Sequence, residues 1–97
     1  MKDLLYQFED LLLIEDRSIQ KLLAEIDSKT LGLALKDAPQ EISEKVMGNL
    51  SKRARESLTE EISFLGLVPS AELQRAQKAV VEVIQRLDQA GELVMKQ

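Results

Sequence analysis

The apolar residues of this chain recur at steps of three and four nearly throughout, the spacing of one face of an α-helix. Ile19, Leu22, Leu23 and Ile26 fall at i, i+3, i+4 and i+7, and Leu31, Ala34, Leu35 and Ala38 repeat that pattern. Ile42, Val46 and Leu50 carry it into a third helix, and Ala54, Leu58, Ile62 and Leu65 define the buried face of a fourth. The longest run is Leu73, Ala76, Val80, Val83, Leu87 and Ala90, too short for a coiled coil and therefore expected as a core helix. The punctuation agrees with the periodicity. Asp16, Asp27, Ser51 and Ser70 stand where N-caps are wanted, Pro39 suits a first helical turn, and Gly66 and Gly91 follow the last apolar residue of their segments. "DLLYQFEDLLLI" (3–14) reads as a hinge plus a short helix. The expected fold is all-α, a single domain over 1–97 forming a compact bundle or superhelical arrangement of about five or six helices. It would have a hinge-like segment at 1–8, a helix over 51–65 and a long final helix over 70–90.

Composition removes most chemistries. At 97 residues the chain suits one domain, and such a domain buries only about two-thirds of its unfolded surface. Aromatic residues are 3%, so the core must be built from Leu, Ile, Val and Ala. With no Cys there is no disulfide, thiolate zinc site or thiol nucleophile, and with no His the commonest general base and metal ligand are missing. The adjacent carboxylates Glu9–Asp10, Glu15–Asp16 and Glu60–Glu61 would point about 100° apart on a helix rather than converge. Gly32, Gly48, Gly66 and Gly91 are too scattered for a phosphate-binding loop or a dinucleotide fingerprint. No enzyme, metal or cofactor is therefore expected. A helix-turn-helix over 17–36 would carry only Lys29 and Lys36 on its recognition helix, in a chain of net charge −4, which argues against nucleic acid. No apolar stretch reaches membrane-spanning length and no signal peptide is visible, so a cytoplasmic helical module without membrane insertion is the expectation.

One stretch runs against helix electrostatics. "SKRARESLTEEI" (51–62) places Lys52, Arg53 and Arg55 ahead of Glu56, Glu60 and Glu61. Acids favour a helix N-terminus and bases a C-terminus, by roughly 0.3–1 kcal/mol each. The pair Lys52–Glu56 also has the poorer i,i+4 orientation, worth at most a few tenths of a kcal/mol, about the scale of any exposed helix pair. On a helical wheel Arg53, Ser57, Glu60 and Phe64 form one stripe facing away from Ala54, Leu58 and Ile62, while Glu61 stands nearer the buried edge. A solvated face is the ordinary explanation for the charges, and packing against a neighbouring helix the ordinary one for Phe64. A stripe with separated positive and negative ends also suits a surface that reads another charged surface.

"FEDLLLIEDRSIQKLLAEID" (Phe8 to Asp27), "LALK" (Leu33 to Lys36), "NLSKRA" (Asn49 to Ala54) and "AQKAVVEVIQRLDQAGELV" (Ala76 to Val94) resemble the C-terminal domain of the FliG flagellar motor switch family, nearly end to end. The resemblance implies a rotor and switch component of the bacterial flagellar motor, with 51–65 as the torque helix that meets the charged cytoplasmic loop of the stator protein MotA. The stator-interaction charges it implies are Lys36, Arg53, Glu60 and Glu61, the glutamates standing where aspartates are common. It also implies FliM and neighbouring FliG subunits as partners in the switch ring. The implied location is the cytoplasmic face of the inner membrane, at the flagellar basal body. The family's met-phe-x-phe hinge is matched by Leu5, Tyr6, Gln7 and Phe8.

Three departures stand out. Gly66-Leu67-Val68-Pro69 replaces the family's gly-pro-val-arg and so lacks the base at 69, Asp37 replaces a glycine after Lys36, and the hinge keeps bulk but not the family's residues. The resemblance covers only the last part of the family's chain, which implies a fragment. The competing expectation is a non-motor helical scaffold or adaptor binding a partner through an apolar surface, at Leu5, Tyr6, Phe8 or Phe64.

Overall fold

The computed structural model describes residues 6–95. Over that range a 3-10 helix (Phe8–Leu13) leads into five α-helices: α1 (Asp16–Ala24), α2 (Ser28–Lys36), α3 (Gln40–Met47), α4 (Lys52–Phe64) and α5 (Ser70–Gln89). The fold is all-α among the described residues; the sole extended pairing is an isolated antiparallel bridge between Ile14 and Met95. The radius of gyration of 12.9 Å matches the roughly 13 Å of a compact chain near this length.

Helix α2 organises the rest, packing against both α4 and α5. Its start is fixed by Asp27, whose side chain accepts from the Thr30 backbone N–H at 3.0 Å and from the Thr30 hydroxyl at 2.8 Å. These hydrogen bonds, the backbone one foremost, hold the Asp27 carboxyl below its ordinary value of 3.8. Leu31, Gly32, Ala34 and Leu35 are all buried, four of the nine residues of the helix. Gly32 lies beneath α4, where an added Cβ would meet Ile62 Cγ1 at 3.6 Å and Leu58 Cδ1 at 3.7 Å. On the other side Gln77 of α5 donates to the Ala34 carbonyl at 3.1 Å. Ile19, Leu22, Ile42, Val46, Val80 and Ile84 complete the core with Phe8, Leu11 and Ile14.

The C-terminal tail closes the molecule against α1. The Glu15 N–H donates to the Val94 carbonyl at 3.0 Å, and the Val94 N–H donates to Ser18 Oγ at 2.8 Å. That second bond explains why Ser18 is tolerated as a buried polar residue, since an unpaired hydroxyl there would be costly.

Several local expectations are corrected. Glu15, not Asp16, is the N-cap of α1, without a side-chain bond. Asp16 instead receives Asn49 Nδ2 at 3.3 Å and faces Lys45 Nζ at 4.0 Å, a tertiary use of its carboxylate. Pro39 and Pro69 are themselves N-caps, with φ of −55° and −57° and extended ψ, so Pro39 lies outside the first turn and Ser70 is already inside its helix. Ile26, Ala38 and Leu50 lie just past the ends of α1, α2 and α3 and are only half-buried. On α5 the fully buried position is Ile84 rather than Val83, and Ala90 is exposed beyond the helix end. Asp27 and Ser51 cap their helices through their side chains, and Gly66 and Gly91 adopt positive φ (61° and 75°), as the spacing implied.

Three outcomes follow from this packing. Gly32→Ala should raise stability by about 0.5–1 kcal/mol, because the new methyl makes ordinary contacts and removes a mid-helix glycine; a denaturant midpoint shifted downward would contradict it. Leu58→Ala should cost about 2–5 kcal/mol, with hydrogen exchange accelerating first across α4. Because the Asp27 carboxyl is depressed in the folded state, its contribution is present above the unfolded-state value of 3.8 and lost as pH falls through the lower folded value. The melting temperatures of wild type and Asp27→Ala should therefore differ at neutral pH and converge in strong acid.

Candidate functional site

Helix α4 forms although its charges oppose the helix dipole, with no acid in its first turn and no base in its last. Two features compensate. Ser51 Oγ accepts from the Ala54 N–H at 3.1 Å, a cap worth about 1 kcal/mol. Leu58, the one fully buried residue of α4, then seats the helix beside Gly32, with Ala54 and Ile62 half-buried on either side of it.

The opposite face is open. Lys52, Arg53, Arg55, Glu56 and Glu60 are exposed, and Arg53, Ser57, Glu60 and Phe64 share one stripe. Among the described residues the ion pairs are Lys45–Asp16 and Arg86–Glu25, and neither of them involves a charged side chain of α4. Nor does Lys52 meet Glu56 across a helical turn. Arg53 and Glu60 lie about 10 Å apart along the axis, from a rise of about 1.5 Å per residue.

The other candidate residues are placed differently. Glu61 is half-buried and borders an apolar recess with Leu23, Ile26, Leu31 and Leu58, to one side of the exposed stripe. Lys36 ends α2, half-buried. It stands one turn beyond Gly32 and so on the side of α2 that faces α4. Ser28 and Leu31 line the recess with Ala54, Ser57 and Glu61, and Gly32 faces Leu58 and Ile62. The fold thus brings Arg53 and Glu60 onto one exposed surface, sets Glu61 at its margin and leaves Lys36 at the end of α2.

Of the hinge candidates, Leu5 lies outside the described residues. Tyr6 is half-buried and its hydroxyl donates to the Asp88 carboxylate of α5. The Gln7 N–H donates to Asp10 Oδ2 at 3.0 Å, and Phe8 belongs to the core.

Phe64 does not pack against a neighbouring helix. It is 80% exposed, and Leu67, three residues on in the turn after α4, is fully exposed at 102%. The place of Phe64 on the polar stripe was legible from helical spacing. Leu67 carried no signal, because a lone leucine in a loop has no period to betray its surroundings. Among the described residues no three acidic side chains gather into a possible metal site, and no helix is long and apolar enough to cross a membrane.

Comparison with known proteins agrees with this architecture. The family model for the FliG C-terminal domain matches residues 1–95. The flagellar motor switch protein FliG of Thermotoga maritima is 43% identical over 91 residues, covering 94% of this chain and 27% of that protein. FliG of Borreliella burgdorferi is 39% identical over 95 residues, covering 98% of this chain and 28% of that one. A crystal structure of FliG residues 116–343 from H. pylori superposes with a TM-score of 0.91 at 33% identity, covering 95% of this chain and 40% of that one. Full-length FliG from Aquifex aeolicus gives 0.82 at 38% identity over 84% of this chain and 26% of that one. The chain spans little more than a quarter of the length of the curated relatives it matches. On sequence and fold together, the chain belongs to the FliG C-terminal domain family.

Proposed function

We propose that this domain works in the rotor of the bacterial flagellar motor switch, without enzymatic activity, and that α4 is the surface on which the stator acts. The observation that carries the reading is the exposed stripe of α4, whose opposite charges have no ion-pair partner among the described residues. Stability does not account for the stripe, since the charge order works against the helix dipole.

In this reading Arg53 meets an acid and Glu60 a base on the cytoplasmic loop of the stator protein MotA, with Glu61 contributing from the margin and Lys36 from the end of α2. The physics suits a contact that must form and release on every step. Charge complementarity raises encounter rate and fixes register more than it raises affinity, and exposed pairs of roughly 0–1 kcal/mol each leave no long dwell time. The order of base then acid along α4 also gives the contact a direction. Tyr6, Gln7 and Phe8, with Leu5, would form the hinge through which the domain changes its orientation during switching. FliM and adjacent FliG subunits would be its neighbours in the ring, at the cytoplasmic face of the inner membrane.

Arg53→Asp is expected to weaken binding to the cognate stator loop by about 3- to 30-fold at low salt, by turning one exposed attraction into repulsion. Glu60→Arg should do the same, and a loop with its own charges reversed should restore binding to the doubly reversed domain. Titration by calorimetry at two salt concentrations checks this. Binding indifferent to salt and to both variants would instead favour an apolar scaffold.

A further inference from the structure

The charged stripe ends in an apolar tip that neither the fold nor charge pairing uses. Phe64 lies four residues beyond Glu60 on the same stripe and points into solvent, and Leu67 follows in the turn that Gly66 opens at positive φ. Isolated surface leucines are ordinary. This pair is different in placement. The tip holds the two most exposed large apolar side chains among the described residues, three positions apart. The inner face of α4 buries only Leu58 completely, and Phe64 takes no part in that face.

We propose that Phe64 and Leu67 form an apolar anchor at the acidic end of α4, completing a three-part recognition surface in the order base, acid, apolar. The proposal rests on the torque-surface reading of α4 and names the chemistry of its partner. Charge complementarity sets the occupant: an amphipathic helical segment of a partner protein, presenting an acid to Arg53, a base to Glu60 and an apolar side chain to the tip. From the helical rise, acid and base on that segment stand about 10 Å apart and the apolar group about 6 Å beyond the base. The division of labour is physical. Screened surface charges orient and steer the partner, whereas burial of aromatic and aliphatic groups is insensitive to moderate salt and contributes mainly to residence time. A tip at one end also makes the contact polar along α4, so a partner docked in reverse would lose both its charge pairs and its anchor.

The test uses the chain as it stands with two probes. One is the cognate stator loop; the other is a designed helical peptide with the acid, base and leucine at the spacing above, beside a control with that leucine replaced by serine. The variants are Phe64→Ser with Leu67→Ser, and separately Arg53→Asp. Because both tip residues are solvent-exposed, the double variant should melt with the wild type. The expected result is a loss of about tenfold or more in affinity for both probes in the double variant. That loss should come mainly from faster dissociation and persist at high salt, and the serine control peptide should show it against the wild type. Unchanged affinity in the double variant while Arg53→Asp weakens binding would overturn the anchor and leave the charge reading standing. Loss in the double variant with no effect of Arg53→Asp or salt would keep the anchor and remove the charge reading. Wild-type chain that binds neither probe would overturn the proposal.

Discussion

Burial of the short helix α2 is the constraint on which the remaining structure depends. A helix of nine residues is well below the roughly 12–15 at which an isolated helix becomes even marginal in water. It persists because Leu31, Ala34 and Leu35 are removed from solvent and Asp27 caps its first turn. Each leucine contributes on the order of 1.5–3 kcal/mol by that burial. Helices α4 and α5 both depend on this element, α4 through Leu58 and Ile62 over Gly32, α5 through its apolar stripe and the bond from Gln77 to Ala34. The 20-residue α5 is about 30 Å long, a length comparable with the longer dimensions of the molecule, 36 and 30 Å.

From this follows the character of α4. It is a peripheral helix held by one fully buried side chain, two half-buried neighbours and a serine cap. Such shallow seating leaves most of its circumference in water. A helix that faces outward over so wide an arc can carry side chains chosen for what they meet rather than for how they pack. The unfavourable order of its charges is tolerable for the same reason. Screening at an exposed site keeps each dipole clash small, and the cap and the leucine offset the sum.

Much of this organisation was legible in the sequence, and the exceptions have specific causes. The helix-forming stripes, the caps at Asp27 and Ser51 and the turns at Gly66 and Gly91 follow from local rules that act within a few residues, so local reading recovers them. Asp16 and Ser70 were misread because the same residue types serve elsewhere. Asp16 is drawn toward Asn49 and Lys45 of another segment, and at Ser70 the preceding proline already supplies the extended cap conformation. Val83 and Ile84 are adjacent, and which of the two is buried is set by the rotation of α5 against its neighbours, a quantity no single helix specifies. The bonds from Tyr6 to Asp88 and from Val94 to Ser18 join residues 82 and 76 positions apart. No spacing rule reaches that far.

The candidate surface divides along the same line. Sequence alone determined that Arg53, Ser57, Glu60 and Phe64 share one face of one helix, because a rotation of about 100° per residue leaves no alternative once the segment is helical. It also determined that the chain has no thiol and no imidazole, through composition. Only the tertiary structure decided which face of α4 remained in water, and that Glu61 would border a recess while Glu60 stood exposed. It also left Phe64 and Leu67 uncovered. Those outcomes depend on where neighbouring helices lie, and helix placement is set by the burial of many side chains from distant segments at once, which local periodicity does not encode.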